Sequence, residues 1–314
     1  MAPDAPFAPG SVSLRLYPHN ELRAADVVAE LRAQARLGAA AGFAGLMVSE
    51  HHGGFAGYLP NPIQTAGFLL AETEHVWVAP CPLLLPLRPA ALVVEEIAWL
   101  AAAYPGRVGL GVAAGALPLD FAVMGLDLAD AAPRFKADLG RVVAMLRGAD
   151  LGDLAGDPAL GRCFDEPVPV LSAAVSPVAA RRAASVGAGI LLDSMGALTR
   201  QRALCDAYAE AGGTAPRVAI RRVWLGPPPE EALAAQRALY ESYSPGAAQQ
   251  HWADANTIVD DDPVALAERV SESLAAAGTD AVNLRVHMNG VPAAAIREQI
   301  TRIGTEVVPR VFVG

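Results

Sequence analysis

The stretch that decides the fold is GLMVSEHHGGFAGYLPNPIQTAGFLLAE, residues 45–72. The apolar run Gly45–Val48 begins a short buried strand that we predict over Gly45–His52. Asn61 and Pro62 are a natural N-cap and first residue for a helix predicted over Pro62–Glu72. The same order, an apolar strand and then an amphipathic helix, recurs on both sides of this stretch, which predicts a parallel sheet covered by helices.

Eight strand–helix units follow one another along the chain. We predict the strands over residues 11–18, 45–52, 76–87, 108–115, 168–176, 189–194, 217–226 and 281–287. Eight units in this order favour an α/β fold of the TIM (β/α)8 barrel type over an open sheet. We expect residues 1–10 to be a disordered leader and residues 11–314 to form one barrel domain, with insertions after strands four and seven.

Composition argues against several classes of function. The 314 residues carry a formal net charge of −9, and an acidic surface repels the phosphates of a nucleic-acid partner. No apolar run in the sequence reaches the roughly 18 residues of a membrane span, so we expect no membrane partner. The three cysteines are widely spaced and form no CxxC pair, so we expect free thiols and a cytoplasmic location.

The second strand ends in Glu50-His51-His52, at the edge where barrel enzymes carry their reactive groups. Successive strand residues point to opposite faces, so the two histidines are poorly placed to share an ion, and we expect no metal site. One histidine can instead face the barrel mouth as a general acid or base. The alternative is a pair of hydrogen-bonded loop histidines with no catalytic role.

The fourth strand contains the glycine-rich run GLGVAAG, residues 109–115. A dinucleotide-binding fingerprint needs its glycines at a tight turn that opens a helix, whereas these lie within a strand, which disfavours a Rossmann fold. Glycines at such positions favour the close approach of a flat ligand or of a neighbouring backbone.

The third strand carries Pro80, Pro82 and Pro86, which a regular central strand does not tolerate. We expect a bulge there, with the Cys81–Pro82 bond as a candidate cis peptide. The alternative is an irregular strand that only fits the curvature of the barrel. Cys81 itself is expected to be a small buried side chain rather than a nucleophile.

Several stretches together resemble the bacterial luciferase-like flavin-dependent monooxygenases. They are Ser49–Pro62, Ala79–Leu100, Gly106–Gly115, Leu171–Leu191 and Val282–Pro292. The resemblance covers nearly the whole chain in the correct order. It implies a TIM barrel that binds reduced FMN or, in some branches of the family, the deazaflavin F420.

The resemblance also implies roles for residues at three strand ends. His51 would be a catalytic acid or base near the flavin, and Glu50 beside it would belong to the cofactor site. Cys81 and Pro82 would form a cis-peptide bulge against the flavin ring.

The remaining cofactor-binding residues implied by the resemblance lie at the next two strand ends. Ala113 and Ala114 would line the end of strand four, and Ser176 would bind phosphate. The family usually has an arginine where this chain has Ala114, and that departure keeps F420 open as an alternative cofactor.

The leading functional hypothesis is an FMNH2-dependent monooxygenase that acts on a small organic substrate and O2, with reduced flavin supplied by a separate reductase. One alternative is F420-dependent hydride transfer. A second is a non-catalytic barrel subunit that partners an active homologue. We expect a homodimer through the helices near strands two and three.

Two further groups of residues are expected around the mouth of the barrel. An apolar rim would shield the site, formed by Phe55, Tyr58, Leu85, Met195 and Trp224. Residues 227–262 are too long to be a simple connection. They would form either a lid that carries Tyr243, His251 and Trp252 or a surface excursion.

Overall fold

The computed structural model of the chain describes residues 5–55, 57–243, 249, 252 and 257–312. Its strands are β1 Val12–Arg15, β2 Gly45–Val48, β3 Trp77–Pro80, β4 Leu83–Leu84, β5 Leu110–Ala113, β6 Val170–Ala173, β7 Gly189–Leu192, β8 Arg217–Leu225, β9 Thr257–Asp260 and β10 Ala281–Arg285. Its α-helices are α1 Ala24–Ala40, α2 Pro62–Leu70, α3 Ala90–Ala103, α4 Pro118–Ala122, α5 Ala131–Met145, α6 Pro158–Arg162, α7 Pro177–Ser185, α8 Leu198–Glu210, α9 Glu230–Tyr243, α10 Pro263–Ala277 and α11 Ala293–Arg302.

The strands form a parallel barrel. Their order is β3-β2-β1-β10-β8-β7-β6-β5-β4, and β9 pairs with β8 outside this path. The two short strands β3 and β4 are parts of the third barrel strand, separated by Cys81 and Pro82. Val78 in β3 bridges Val108 next to β5, which brings the two ends of the sheet together. The predicted TIM barrel is therefore confirmed.

Each barrel strand lies inside the range predicted for it. The predicted insertions are also present, because α4 lies between β5 and α5, and both α9 and β9 follow β8. The short helix α4 was not predicted. Pro118 is its first residue, where the absent N–H is not needed.

Side chains of the strands alternate between two apolar layers, as the period of two in a barrel strand requires. The larger layer lies between the strands and the helices. The smaller one fills the floor of the barrel with Phe7, Met47, Trp77, Ala79, Cys81, Leu171, Leu191, Val218 and Ala281.

Phe7 is part of this floor. It is 1% exposed, and its ring lies edge-on to Trp77 with 5.0 Å between the centroids. The backbone N–H of Gly10 donates to the carbonyl of Asp280. The prediction of a disordered leader is therefore wrong for residues 5–10, because an aromatic side chain was available to close the barrel. Residues 1–4 lie outside the described residues.

The three cysteines, Cys81, Cys163 and Cys205, are all free and buried. Within the described ranges, no helix combines the length and the apolar character that crossing a bilayer requires.

Candidate functional site

A cavity of about 400 Å³ opens at the carboxyl ends of the barrel strands, a size typical of small-molecule sites. One wall, at the ends of β4, β5 and β6, consists of small or apolar residues: Pro82, Leu84, Ala113, Ala114, Gly115, Ala116, Ala173 and Val175. The wall across the barrel, on β1, β8 and β10, contains Arg15, Tyr17, Ile220, Arg222 and Arg285, with Tyr58 and Tyr240 beside them. We call these the small-residue wall and the arginine wall.

His51 lines the cavity and is held by a carboxylate. Its Nδ1 lies 2.8 Å from Oδ2 of Asp120, whose side chain is 1% exposed. The other oxygen of Asp120 accepts the backbone N–H of His52 at 2.7 Å. Because an ionised carboxylate only accepts hydrogen bonds, Nδ1 carries the proton and the lone pair of the neutral ring lies on Nε2.

Aromatic rings fix His51 from two further sides. Its ring lies 4.4 Å from that of Tyr58 and 4.9 Å from that of Phe55, measured between centroids. His51 is therefore a fixed imidazole at the cavity surface, suited to exchange a proton with a bound molecule.

Glu50 and His52 form a separate buried network. The carboxylate of Glu50 accepts hydrogen bonds from the guanidinium of Arg88, from Nε2 of His52 at 3.0 Å and from the backbone N–H of Leu84. Glu50 lines the cavity, but these partners occupy its oxygens, so it ties the end of β2 to β4. Of the two adjacent histidines, His51 faces the cavity and His52 supports Glu50.

The Cys81–Pro82 peptide is cis, as predicted. Pro82 lines the cavity, whereas the side chain of Cys81 lies beneath it among the buried floor residues. A Cβ added at Gly111 would lie 2.1 Å from Sγ of Cys81, so the glycine allows this close contact. Burial raises the pKa of the Cys81 thiol to about 11, which disfavours a nucleophilic thiolate.

Ala113 and Ala114 both lie on the small-residue wall. Ser176 lies just outside the cavity, where its hydroxyl accepts the backbone N–H of Ala179 and caps α7. Arg200, near the start of α8, donates to the carbonyl of Val175 at 2.6 Å. A helix N-terminus and a guanidinium thus lie beside this wall.

The arginine wall escaped the sequence analysis. Arg222 of β8 and Arg285 of β10 are register partners in adjacent strands. The guanidinium of Arg285 lies 4.1 Å above the ring of Tyr17 and donates to the hydroxyl of Tyr240 at 2.5 Å. The guanidinium of Arg222 lies 4.8 Å from the ring centre of Tyr240.

The hydrogen-bond donors of Arg15 have different partners from those of the other two arginines. It donates to the side chain of Asn283 at 2.6 Å, to the hydroxyl of Ser49 at 3.1 Å and to the carbonyl of Cys81 at 2.9 Å. Through these hydrogen bonds Arg15 ties β1 to β10, to the end of β2 and to the residue that follows β3.

Arg222 and Arg285 change the acidity of Tyr240. Burial alone would raise the pKa of this phenol, but the positive charges of Arg285 and then Arg222 lower it to about 8. Burial and the like charge of Arg285 lower the pKa of Arg222.

We expect one tyrosine to ionise near pH 8, because the arginines stabilise its anion, whereas ordinary tyrosines ionise near about pH 10. An absorbance titration for tyrosinate measures this step, when the curve of the Tyr240→Phe variant is subtracted from the curve of the wild type. Tyr104→Phe, a change outside the cavity, should leave the step in place. A difference curve that rises only near the ordinary value would contradict the prediction.

Part of the predicted rim is wrong. Tyr58 and Met195 line the cavity. Leu85 and Trp224 instead pack into the larger apolar layer: Leu85 begins a 3-10 turn after β4, and the indole N–H of Trp224 donates to the carbonyl of Pro227 beyond the end of β8. In the predicted lid, Trp252 bridges Gly196 near the end of β7. His251 and the side chain of Tyr243 lie outside the described residues.

Among the described residues, no group of three or more His, Cys, Asp or Glu side chains is arranged to hold a metal ion. The polar groups that line the cavity are one imidazole, three guanidinium groups, three phenols, the carboxylates of Glu50 and Asp193 and the hydroxyls of Ser49 and Ser194.

The family model described as luciferase-like monooxygenase matches residues 9–306. The chain belongs to this family. Its members are oxidoreductases, and this luciferase-like chain is accordingly an enzyme of that class, as the sequence predicted.

Three similar proteins are informative. An F420-dependent glucose-6-phosphate dehydrogenase of Beutenbergia cavernae is 31% identical over 180 residues, which cover 52% of this chain and 52% of that protein. The matched region spans about half the length of the curated relatives. The oxygenating component of 3,6-diketocamphane monooxygenase from Pseudomonas putida, solved with FMN, has a TM-score of 0.77 at 17% identity, covering 97% of this chain and 100% of that one. An F420-dependent secondary alcohol dehydrogenase has a TM-score of 0.72 at 20% identity, covering 96% and 98%.

Proposed function

We propose that this luciferase-like protein is a monooxygenase that uses reduced FMN and O2 to oxidise a small organic substrate, with reduced flavin delivered by a separate reductase. The observation that carries the proposal is the cavity itself, where a wall of small side chains lies near an imidazole fixed by a carboxylate. Reduced flavin supplies the electrons for oxygen activation when it is bound.

The residues of the small-residue wall fit a planar ring. Ala113 and Ala114 offer only methyl groups and backbone to such a ring, and Pro82 offers an apolar face beside them. Ser176, the N-terminus of α7 and Arg200 would hold a phosphate, because helix N-termini and guanidinium groups both attract anions. Arg200 would thereby replace the arginine that the family usually has at the position of Ala114.

His51 would exchange a proton with the substrate at Nε2, and Asp120 would stabilise the imidazolium that forms when Nε2 takes up a proton. Tyr58 and Met195 would limit the access of water to the cavity.

F420-dependent hydride transfer remains the second candidate, because Ala114 departs from the FMN pattern and an F420-dependent enzyme is among the similar sequences. Anaerobic titrations of the protein with reduced FMN, reduced FAD and reduced F420 separate the two. We expect the tightest binding for FMN. Binding of F420 alone would replace the proposed cofactor, and binding of none of the three would overturn the proposal.

Arg200→Gln should weaken the binding of FMN about 10-fold and leave the binding of riboflavin unchanged, because only FMN carries the phosphate. Arg202→Gln is the matched control, since Arg202 is on the same helix but pairs with Asp206 at the surface. Equal losses for FMN and riboflavin would contradict a phosphate contact.

We infer a homodimer through α2 and α3 and one domain over residues 11–314, to whose floor residues 5–10 contribute Phe7. Phe68, Leu92 and Trp99 on these two helices are between 41% and 55% exposed, an apolar surface that a second copy would cover. Free thiols in all three cysteines support the proposed cytoplasmic setting. The mass of the chain in solution decides between dimer and monomer.

A further inference from the structure

Two arginines of the arginine wall form no salt bridge with a described carboxylate. Arg222 and Arg285 are 7% and 4% exposed, and neither is among the salt bridges formed by the described part of the chain. A buried charge without a partner destabilises a fold, so such charges are usually paired. Two guanidinium groups on adjacent strands also repel each other.

Arg222 has an unused hydrogen-bond donor. Its Nε is buried and has no partner among the described residues. Arg285, by contrast, uses its donors on the carbonyl of His287 and the hydroxyl of Tyr240. A guanidinium presents its donors as a planar fork that matches the two oxygens of a carboxylate.

The neighbouring arginine on the same strand, Arg221, has a hydrogen-bond partner at Nε. Arg221, with its side chain on the outer face of β8, donates from Nε to the hydroxyl of Ser273 and from Nη2 to its carbonyl. The unpaired donor is thus a property of the inward position and not of β8 as a whole.

We propose that the substrate carries an oxyanion, typified by a carboxylate, which binds to Arg222 and Arg285 on the arginine wall. This inference rests on the proposed function, because it assigns a substrate class to the same cavity. The oxyanion supplies the missing negative charge and accepts the unused Nε–H of Arg222. The rest of the substrate then extends toward His51 and the small-residue wall.

The position of the arginines separates this subsite from the proposed phosphate site. Arg222 and Arg285 lie on β8 and β10, whereas Ser176 and Arg200 lie beside the end of β6, which is two strands from β8 and three from β10 in the sheet. An anion at the arginine wall therefore belongs to a second molecule that binds together with the flavin.

Calorimetric titration with benzoate tests the proposal, and benzamide is the probe of matched shape without charge. We expect benzoate to bind and benzamide to fail. Arg222→Gln should weaken the binding of benzoate about 10-fold or more. Arg222→Lys, which keeps the charge, should weaken this binding less. Arg221→Gln is the control and should bind benzoate as the wild type does. Circular dichroism verifies that each variant is folded.

Three results would overturn the proposal. They are unchanged benzoate affinity in Arg222→Gln, equal binding of benzamide, and competition between benzoate and FMN, since competition would assign the arginines to the cofactor phosphate. Flavin titrations of the same samples keep the two proposals apart. Benzoate binding that depends on Arg222, in a protein that binds neither FMN nor F420, would retain the subsite and reject the proposed function.

Discussion

Replacing His51 with alanine is expected to lower turnover by about 10²–10⁴-fold, the usual contribution of a positioned acid or base. The reason is geometric, because His51 is the imidazole on the cavity surface and Asp120 fixes its orientation. Substrate-dependent oxygen consumption at saturating reduced FMN measures the effect. Flavin affinity should change little, since the small-residue wall remains intact.

Two variants test whether the effect belongs to this histidine. Asp120→Asn should lower turnover by a smaller factor, because the amide still contacts the ring but cannot stabilise an imidazolium. His75→Ala should have no effect, since the side chain of His75 is 76% exposed and pairs with Glu74 at the surface. Full activity in His51→Ala would contradict an acid–base role and favour a non-catalytic barrel subunit.

Gly111→Ala is expected to destabilise the protein by about 3 kcal/mol, near the upper end for overpacking a core. The new Cβ would lie 2.1 Å from Sγ of Cys81 and 3.1 Å from its Cα, so either β5 or the bulge must move. Denaturant unfolding measures the loss, and FMN affinity should fall as well because Pro82 is attached to the displaced residue.

The matched control is Gly161→Ala. Gly161 lies in α6, and among the described residues no atom beyond its own helix backbone and chain neighbours lies within 4 Å of the position that a Cβ would take. The same methyl group should therefore be neutral there or stabilise the helix by up to about 1 kcal/mol. Equal stability of Gly111→Ala and wild type would show that the Cys81 bulge adapts freely, against the close packing described above.

The fold could be predicted from sequence because each strand–helix unit is a local pattern. The apolar run at Gly45–Val48 and the capped start of α2 are visible without knowing any distant contact. His51 and Pro82 were found for the same reason, since strand ends and clustered prolines are local signals. Phe7 gave no such signal, because it lies in a turn before β1 and its partner Trp77 lies far along the chain, on β3.

The missed residues depend on contacts between distant parts of the chain. Asp120 is 69 positions from His51 and lies in a helix too short for a periodic pattern. The arginine wall did leave a trace in the sequence, since Arg15, Arg222 and Arg285 are charged residues at inward positions of the strands.

The division of the cavity into two walls has a consequence for evolvability. Each parallel strand brings its own loop to the rim, so β8 and β10 can diverge while β4, β5 and β6 stay the same. Under the proposed binding mode, a mutational library confined to Ile220, Arg222 and Arg285 would therefore change the substrate subsite and leave the proposed flavin-binding wall unchanged. A barrel of this kind can therefore acquire new substrate specificities through some strands while the residues on the other strands stay the same.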